Sequence, residues 1–145
     1  DARRAYGLYV FGRLSLPDFP DQALSAFIDA GRIYEARPDT QIHSAHIGMQ
    51  VAAYQLATNR PEIALSLIDQ HLPVAQAAEH AALMSLMLMV RAESFEALGR
   101  DGAAKRARDE AQEWGRYGFG RQSEIDRRLA EIAAIAPEPV EGSRL

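Results

Sequence analysis

The sequence of 145 residues contains no cysteine and only one lysine, Lys105, beside fifteen arginines. Without a thiol, disulfides, thiolate zinc sites, iron–sulfur clusters and cysteine nucleophiles are excluded. Strand signals are scarce as well, because apolar and polar residues never alternate over a sustained stretch. Both the cross-links of small secreted domains and the patterning of a β-sheet are therefore missing, and the sequence favours a helical protein.

No apolar run is long enough to cross a bilayer, which takes about 20 residues. The richest run, residues 81–90, is ten residues long and is followed directly by Arg91. A run of this length is typical of a buried core helix, so Met84 and Met87 within it are expected to pack in the core, while a different orientation is left open for Met89. We expect no membrane insertion.

The chain also lacks a concentration of positive charge. It carries 16 basic and 20 acidic residues, a formal net charge of −4, and residues 100–145 hold nine of each sign. A protein that binds nucleic acid needs a basic field along the phosphate backbone, so nucleic acid is not an expected partner. The excess of acid lies in residues 61–99, where five acids stand against one base.

Alanine, with 26 residues, and arginine are abundant, and both favour helices. The length fits one domain, which we place at residues 1–136, with residues 137–145 as a flexible tail. The same two residue types are typical of a GC-rich bacterial genome. Because the chain begins at Asp1, without an initiator methionine, we expect a segment of a longer product. Its location would be the cytoplasm or, if a leader was removed, the periplasm.

Apolar spacing and turn residues predict about seven helices. Residues 59–62 mark one start, since asparagine can cap a helix and proline is tolerated in its first turn. Residues 115–120 hold three glycines and are predicted to form a turn. This turn is expected to let Trp114, Tyr117 and Phe119 pack the last helix onto the domain. The predicted helices cover about residues 2–16, 20–37, 41–58, 61–73, 75–98, 101–114 and 123–136.

A short frame recurs three times along the chain. Each copy begins at a turn residue, opens a helix and has an alanine five residues on: Asp18-x4-Ala23, Asn59-x4-Ala64 and Gly99-x4-Ala104. The alanines lie 41 and 40 residues apart. We interpret the unit as a helix–turn–helix pair, repeated three times, with the seventh helix as a cap. The small residues would stand where two helices approach closely.

The third copy carries the strongest pattern, Leu88-x2-Arg91-Ala92-x2-Phe95-x2-Leu98-Gly99-x4-Ala104-x6-Ala111, and the second has Val51-Ala52 before Asn59-x4-Ala64. This pattern resembles the tetratricopeptide repeat over about residues 5–114. It departs from the family in its period, 40–41 residues where the family has about 34, and at Arg108, where the family has an aromatic residue. The resemblance implies an all-α solenoid of three helical hairpins plus a C-terminal capping helix. An ordinary antiparallel helical bundle is the alternative.

In a tetratricopeptide-like superhelix the first helix of each pair lines the concave surface, and solenoids bind extended ligands there. Carried onto the second and third pairs, the resemblance implies a groove that is apolar at one end and acidic at the other. Its implied partner-binding residues are His46, Met49, Gln50, Ala53 and Leu56 in the third helix and Met89, Glu93 and Glu96 in the fifth.

Catalytic and metal-binding patterns are sparse. His43 and His46 are three residues apart and share a helical face, but no carboxylate lies at a useful spacing, so we expect groove-lining histidines and no metal site. Gly115-x2-Gly118-x-Gly120 follows a helix instead of a strand and lacks the Gly-Lys-Ser/Thr of a phosphate loop. With neither Gly-x-Ser-x-Gly nor His-Glu-x2-His present, we expect no enzyme and no cofactor.

The sequence thus favours a non-enzymatic adaptor or scaffold that binds a protein or peptide carrying apolar anchors and some positive charge. One alternative is a structural or oligomerisation module of a larger sensory or regulatory protein, whose exposed end helices dock on a second copy to form a homodimer. A third interpretation is an enzyme or small-molecule binder with a pocket between helices.

Overall fold

The computed structural model describes residues 2–16 and 18–134, and its regular structure is helical throughout these ranges. The predicted tail, residues 137–145, lies outside them. The all-α prediction is confirmed, and seven α-helices lie within the described ranges. They are α1 (Ala2–Ser15), α2 (Pro20–Glu35), α3 (Gln41–Ala57), α4 (Pro61–Ala77), α5 (Ala81–Ala97), α6 (Asp101–Gly118) and α7 (Gln122–Ala133), with a short 3-10 helix, Pro38–Thr40, before α3.

Three successive turns between α3 and α6 have the same construction. Asn59, Glu79 and Gly99 each follow a helix in a left-handed backbone conformation, with φ of 63°, 52° and 75°. In each turn the N–H of the next residue donates to a carbonyl five residues earlier, which closes a Schellman motif. These bonds join Arg60 to Gln55 (2.8 Å), His80 to Ala75 (3.1 Å) and Arg100 to Phe95 (2.9 Å). Because the turns recur every 20 residues, α4 and α5, which each lie between two of them, have the same length of 17 residues.

The helices pack in chain order, and each contacts the next one along the chain. The odd-numbered helices make a second set of contacts, because α5 also packs on α3 and on α7. No comparable contact joins α2 to α4 or α4 to α6 in the part of the chain that the structure describes. The odd-numbered helices therefore form the more closely packed layer, as in a solenoid that curves towards that layer.

The core is divided between two clusters. The larger one extends from α3 to α7 and contains Met84 and Met87, which confirms their predicted core position, and also Met89, for which the family resemblance implied a place in the groove. The smaller one joins α1, α2 and α3 around Phe27. The apolar run in α5 is thus core, and none of the described helices combines the length and apolarity needed to cross a membrane.

The repeating alanines open the second helix of each hairpin and are buried, as predicted. Ala23, Ala64 and Ala104 are at most 1% exposed. The first hairpin shows why small residues are needed, since a Cβ added to Gly12 would lie 2.7 Å from the ring of Phe27. Only a residue without a side chain allows α1 and α2 to approach this closely.

The boundary between α4 and α5 differs from the prediction. α4 continues for another turn beyond Pro73, and α5 starts at Ala81 instead of Ala75. Proline removes one backbone donor from a helix, but Ala75 is fully buried and Val74 packs on the larger cluster. The apolar face of α4 therefore runs on past the proline. Packing outweighs the lost hydrogen bond, and the helix ends at Ala77, two residues before the left-handed Glu79.

The glycine-rich segment is the second difference. α6 runs through Gly115 to Gly118, so the turn predicted for residues 115–120 is confined to the end of that segment. Both glycines are close packing points instead: a Cβ on Gly115 would lie 3.0 Å from Ile125, and one on Gly118 would lie 2.5 Å from the backbone of Ala82. The glycines that look like a turn signal therefore allow α6 to contact α5 and α7.

Two of the three aromatic residues expected to pack the last helix do contact the larger cluster. Trp114 and Phe119 are partly buried against it. Tyr117 is 85% exposed, so its predicted packing role is wrong. Because α6 continues as a helix, Tyr117 is rotated away from the buried stripe of Ala104, Ala107, Ala111 and Gly115.

Candidate functional site

The odd-numbered layer is interrupted between α1 and α3, whose backbones approach each other at most marginally within the described residues. The gap is an open cleft of about 420 Å³. Its two walls come from α1 and α3, and the C-terminal end of α2 closes one side. The residues that line this tyrosine–histidine cleft are Tyr6, Tyr9, Tyr34, His43, His46 and Ile47.

Helical spacing places these side chains on common faces. Tyr6 and Tyr9 are three residues apart on α1, and residues 43, 46 and 47 on α3 have the i, i+3, i+4 spacing of one helix face. Tyr34 is the penultimate residue of α2, so its ring reaches the cleft from the third side. The site is therefore built from three rigid helices and not from a loop.

Each histidine in the cleft is paired with a tyrosine. The Tyr9 hydroxyl and His46 Nε2 are 3.4 Å apart, and their rings meet edge to face with centroids 6.0 Å apart. The rings of Tyr34 and His43 have centroids 5.1 Å apart. Tyr9 also rests on the buried ring of Phe27, at a centroid distance of 6.1 Å. The cleft thus presents aromatic faces held in place by the core below them.

Burial and neighbouring charge keep the central groups of the cleft neutral. Burial lowers the pKa of the His46 imidazole, and electrostatic interaction with the neighbouring His80, Arg13 and His43 lowers this pKa further. Burial raises the pKa of the Tyr34 phenol. At neutral pH His46 is therefore uncharged and Tyr34 keeps its proton. Because none of the described lining residues is a carboxylate, the cleft can stack on planar groups and exchange hydrogen bonds, but it has no anion to attract a cation.

Among the partner-binding residues implied by the family resemblance, His46, Gln50 and Glu96 reach accessible surface, Glu96 with 37% of its side chain exposed. His46 lines the cleft, and Gln50, one turn further along α3, is partly buried. The apolar members are enclosed instead: Met49, Ala53 and Met89 are only 2%, 6% and 7% exposed, and Leu56 is also in the larger cluster. Because α3 and α5 pack directly on each other, these side chains belong to the core and offer little area to a ligand.

The acidic end of the implied groove is occupied from within the chain. The Arg108 guanidinium on α6 forms a salt bridge with Glu93, at 3.2 Å, and a second one with Glu96. Glu93 is also largely enclosed, with 13% of its side chain exposed. Arg108 is the residue at which the sequence departs from the tetratricopeptide pattern. It supplies the positive charge that sequence analysis assigned to a ligand.

Sequence analysis did not identify the three tyrosines as site residues. Tyr6 and Tyr9 are part of an apolar spacing in α1 that resembles an ordinary core stripe, although Tyr6 is 62% exposed. A usable signal was present: three of the five tyrosines fall within the first hairpin, near the histidine pair of α3. Tyrosine is a common anchor of binding surfaces because its ring is rigid and its hydroxyl is polar.

The described residues contain no group of three or more histidine, aspartate and glutamate side chains arranged to hold a metal ion. Comparison with known proteins finds no matching family model, no matching curated protein and no matching solved structure.

Proposed function

We propose that this chain is a non-enzymatic helical-repeat module that binds a peptide segment of a partner protein. The observation that carries the proposal is the tyrosine–histidine cleft, an open site of about 420 Å³ on rigid helices. Peptide-binding surfaces are rich in tyrosine, which gives a large contact area at a low cost in side-chain entropy. The repeat arrangement extends the surface from the cleft along α3, where Gln50 follows His46.

The chemistry of the cleft favours an apolar or aromatic anchor on the ligand. The faces of Tyr6, Tyr9 and Tyr34 can pack on such a side chain, and the Tyr9–His46 pair can exchange a hydrogen bond with the peptide backbone. The guanidinium carbon of Arg13 lies 5.9 Å from the Tyr9 ring centroid, so a positively charged anchor would be repelled there. This proposal replaces the expected cationic ligand, because Arg108 already neutralises Glu93 and Glu96.

A phage-displayed random peptide library selected on the whole chain tests this function. We expect the selected peptides to bind at least about tenfold more weakly to Tyr9→Ala and His46→Ala variants, the effect of losing a central interface residue. Glu93→Gln/Glu96→Gln and Tyr117→Ala serve as controls outside the cleft and should bind like the wild type. Undiminished binding by the Tyr9→Ala and His46→Ala variants, with unchanged far-ultraviolet circular dichroism, would reject the cleft. Loss of binding only in the double glutamate variant would favour the acidic groove.

A structural or oligomerisation module is the second candidate, because apolar side chains at the N-terminal end of the fold face solvent. Phe11 and Leu14 on α1 are 52% and 76% exposed. Such residues are more common in surfaces that another protein covers than in free ones. Light scattering distinguishes the two functions in their simplest forms, because a strict monomer is compatible with peptide binding and not with self-assembly.

A further inference from the structure

A second groove lies in the even-numbered layer, between α2 and α4, and α3 forms its floor. The backbones of α2 and α4 approach each other at most marginally within the described residues. This α2–α4 groove consists of two adjoining cavities of about 160 and 110 Å³, and Glu35, Ser44, Gln70 and His71 line both. It is separate from the tyrosine–histidine cleft, with which it shares only Ile47 among the described lining residues.

The larger cavity is mainly apolar, and two helical glycines shape it. A Cβ added to Gly48 would collide with the His71 ring, so this glycine lets the ring of α4 lie on the backbone of α3. A Cβ added to Gly31 would lie at an ordinary contact distance of 3.6 Å from Ile47, but no side chain of α2 fills this space. The apolar lining comprises Phe27, Gly31, Ile47, Gly48, Val51 and Leu67.

The smaller cavity is polar and rich in hydrogen-bond acceptors. Burial lowers the pKa of His71, so its imidazole is neutral at neutral pH and offers one nitrogen as an acceptor. The Glu35 carboxylate is close enough to act on this pKa, and it forms no salt bridge with another described residue. The polar residues that line the cavity are Glu35, Gln41, Ser44, Gln70 and His71.

The Ser44 hydroxyl is a buried polar group that the fold leaves without a partner. Ser44 is only 5% exposed, and it forms no hydrogen bond with another residue in the part of the chain that the structure describes. The fully buried Ser85 and Ser94, in contrast, each donate to a carbonyl oxygen at 2.7 Å. Because an unpaired buried hydroxyl costs free energy, a donor placed in the smaller cavity would find an acceptor already in position.

We infer that the α2–α4 groove binds a small primary amine, with the ammonium group in the smaller cavity and a short branched apolar chain in the larger one. An ammonium group carries a positive charge and three donors, which match the Glu35 carboxylate and the acceptors beside it. Arg32 also borders the larger cavity, but its side chain is 77% exposed and its guanidinium lies 4.0 Å from Asp29. The inference does not rest on the proposed peptide binding, because the groove and the cleft lie in different layers.

Titration of the isotope-labelled whole chain with isoamylamine, followed by the chemical shifts of backbone amides, tests the inference. We expect saturable shifts at Glu35, Ser44, Gln70 and His71 with a Kd of about 1 mM. Isoamyl alcohol has the same apolar chain without the charge and should bind at least about tenfold more weakly at the same ionic strength. No saturable shift up to about 20 mM amine, or equal binding of amine and alcohol, overturns the inference.

Glu35→Gln and Glu62→Gln are a matched pair that separates the groove from general attraction of a cation. Both remove one exposed carboxylate, at the end of α2 and in the first turn of α4, and Glu62 does not line the groove. Glu35→Gln should weaken amine binding at least about tenfold, whereas Glu62→Gln should leave it unchanged. An equal effect of the two substitutions contradicts the site.

Ser44→Ala and Ser85→Ala test the unpaired hydroxyl. Ser44→Ala should weaken amine binding about fivefold, the effect of one hydrogen bond, without lowering stability towards urea. Ser85→Ala removes the hydrogen bond to the Ala111 carbonyl, so it should lower stability and leave binding unchanged. A loss of stability in Ser44→Ala, or unchanged amine binding, would show that this hydroxyl does not await a ligand.

Gly31→Leu tests whether the apolar chain occupies the larger cavity. Its Cβ makes an ordinary contact with Ile47, and the rest of the side chain takes the space proposed for the ligand. Gly7→Leu is the control, because a Cβ on this helical glycine of α1 has no neighbour within 4 Å. With far-ultraviolet circular dichroism unchanged in both, Gly31→Leu should weaken isoamylamine binding at least about tenfold. Binding by Gly31→Leu as tight as by Gly7→Leu overturns this placement of the ligand.

Discussion

Glycine has two opposite uses in this chain, which Gly7 and Gly118 illustrate. An added Cβ on Gly7 meets nothing, whereas one on Gly118 would lie 2.5 Å from the backbone of Ala82. Because a helical glycine without a packing role mainly adds freedom to the unfolded chain, Gly7→Ala should raise the free energy of unfolding by about 1 kcal/mol. Gly118→Ala should lower it by about 1–3 kcal/mol, the usual cost of overpacking.

Urea unfolding measures both changes. A lower free energy of unfolding for Gly7→Ala would show that position 7 of α1 contacts a neighbour that the described structure lacks. If Gly118→Ala were neutral, the close approach of α6 to the start of α5 would be wrong.

The three matching turns allow a second test at the same scale. Asn59, Glu79 and Gly99 share a left-handed conformation, but a Cβ makes this conformation unfavourable, so only glycine adopts it without strain. Glu79→Gly should therefore raise the free energy of unfolding by about 0.5–1 kcal/mol, and Gly99→Ala should lower it by about 1 kcal/mol. Asn59→Gly should have a smaller effect, because asparagine tolerates this region. Thermal and urea unfolding measure the stability of the three variants. If Glu79→Gly were the least stable of them, this account would be wrong.

At the scale of a helix, α5 begins with a cap that the sequence did not reveal. His80 Nδ1 accepts a hydrogen bond from the backbone N–H of Leu83, at 3.1 Å. Histidine is not among the preferred N-cap residues, which is why sequence analysis placed this helix start six residues too early. We expect His80→Ala to lower the free energy of unfolding by about 1 kcal/mol and His80→Asn, which keeps an acceptor, to preserve it. Urea unfolding of the two variants distinguishes a cap from a packing role, since loss in both would indicate packing.

Some helix ends differ from the local sequence signal because tertiary packing overrides it. The turn at Gly99 and the helix start at Pro61 were predictable because nothing in the core opposes them. Pro73 and Gly115 carry equally strong local signals, yet both lie inside helices. In each case the buried face continues past the residue, and the contacts that cover it come from helices distant in sequence. A single sequence contains the local preference but not those contacts.

At the scale of the whole molecule, the repeating spacings in the sequence predicted the layered all-α arrangement. They did not predict the candidate site. His46 was expected to line a groove, and it does line the cleft. The cleft exists because α1 and α3 stay apart while α3 and α5 pack together. Met49 and Met89 are buried in the core because α3 and α5 pack together. Such differences in helix spacing depend on long-range packing, which helical periodicity does not encode.

Two partly buried histidines couple the stability of the whole fold to pH. Burial lowers the pKa of His46, and electrostatic interaction with His80, Arg13 and His43 lowers it further. Burial also lowers the pKa of His71, although the nearby Glu35 carboxylate acts in the opposite direction. Both histidines stay neutral in the folded protein at pH values where the unfolded chain, with an ordinary pKa of about 6.5, takes up a proton. The free energy of unfolding should therefore decrease as the pH falls below about 6.5.

Urea unfolding between about pH 7 and pH 5 checks this sign. We expect a His46→Asn/His71→Asn variant to lose less stability than the wild type over this interval, and Gln50→Asn, a non-titrating change nearby on α3, to keep the wild-type slope. The Glu124 carboxylate does not interfere with the measurement, because hydrogen bonds from Arg127 and Arg128 lower its pKa and its contribution is therefore lost only below its ordinary value of 4.5. An identical slope in the double variant and the wild type would show that neither histidine is held neutral by the fold. The Tyr9–His46 pair would then be open to protonation, and the neutral cleft on which the proposed ligand chemistry depends would have to be abandoned.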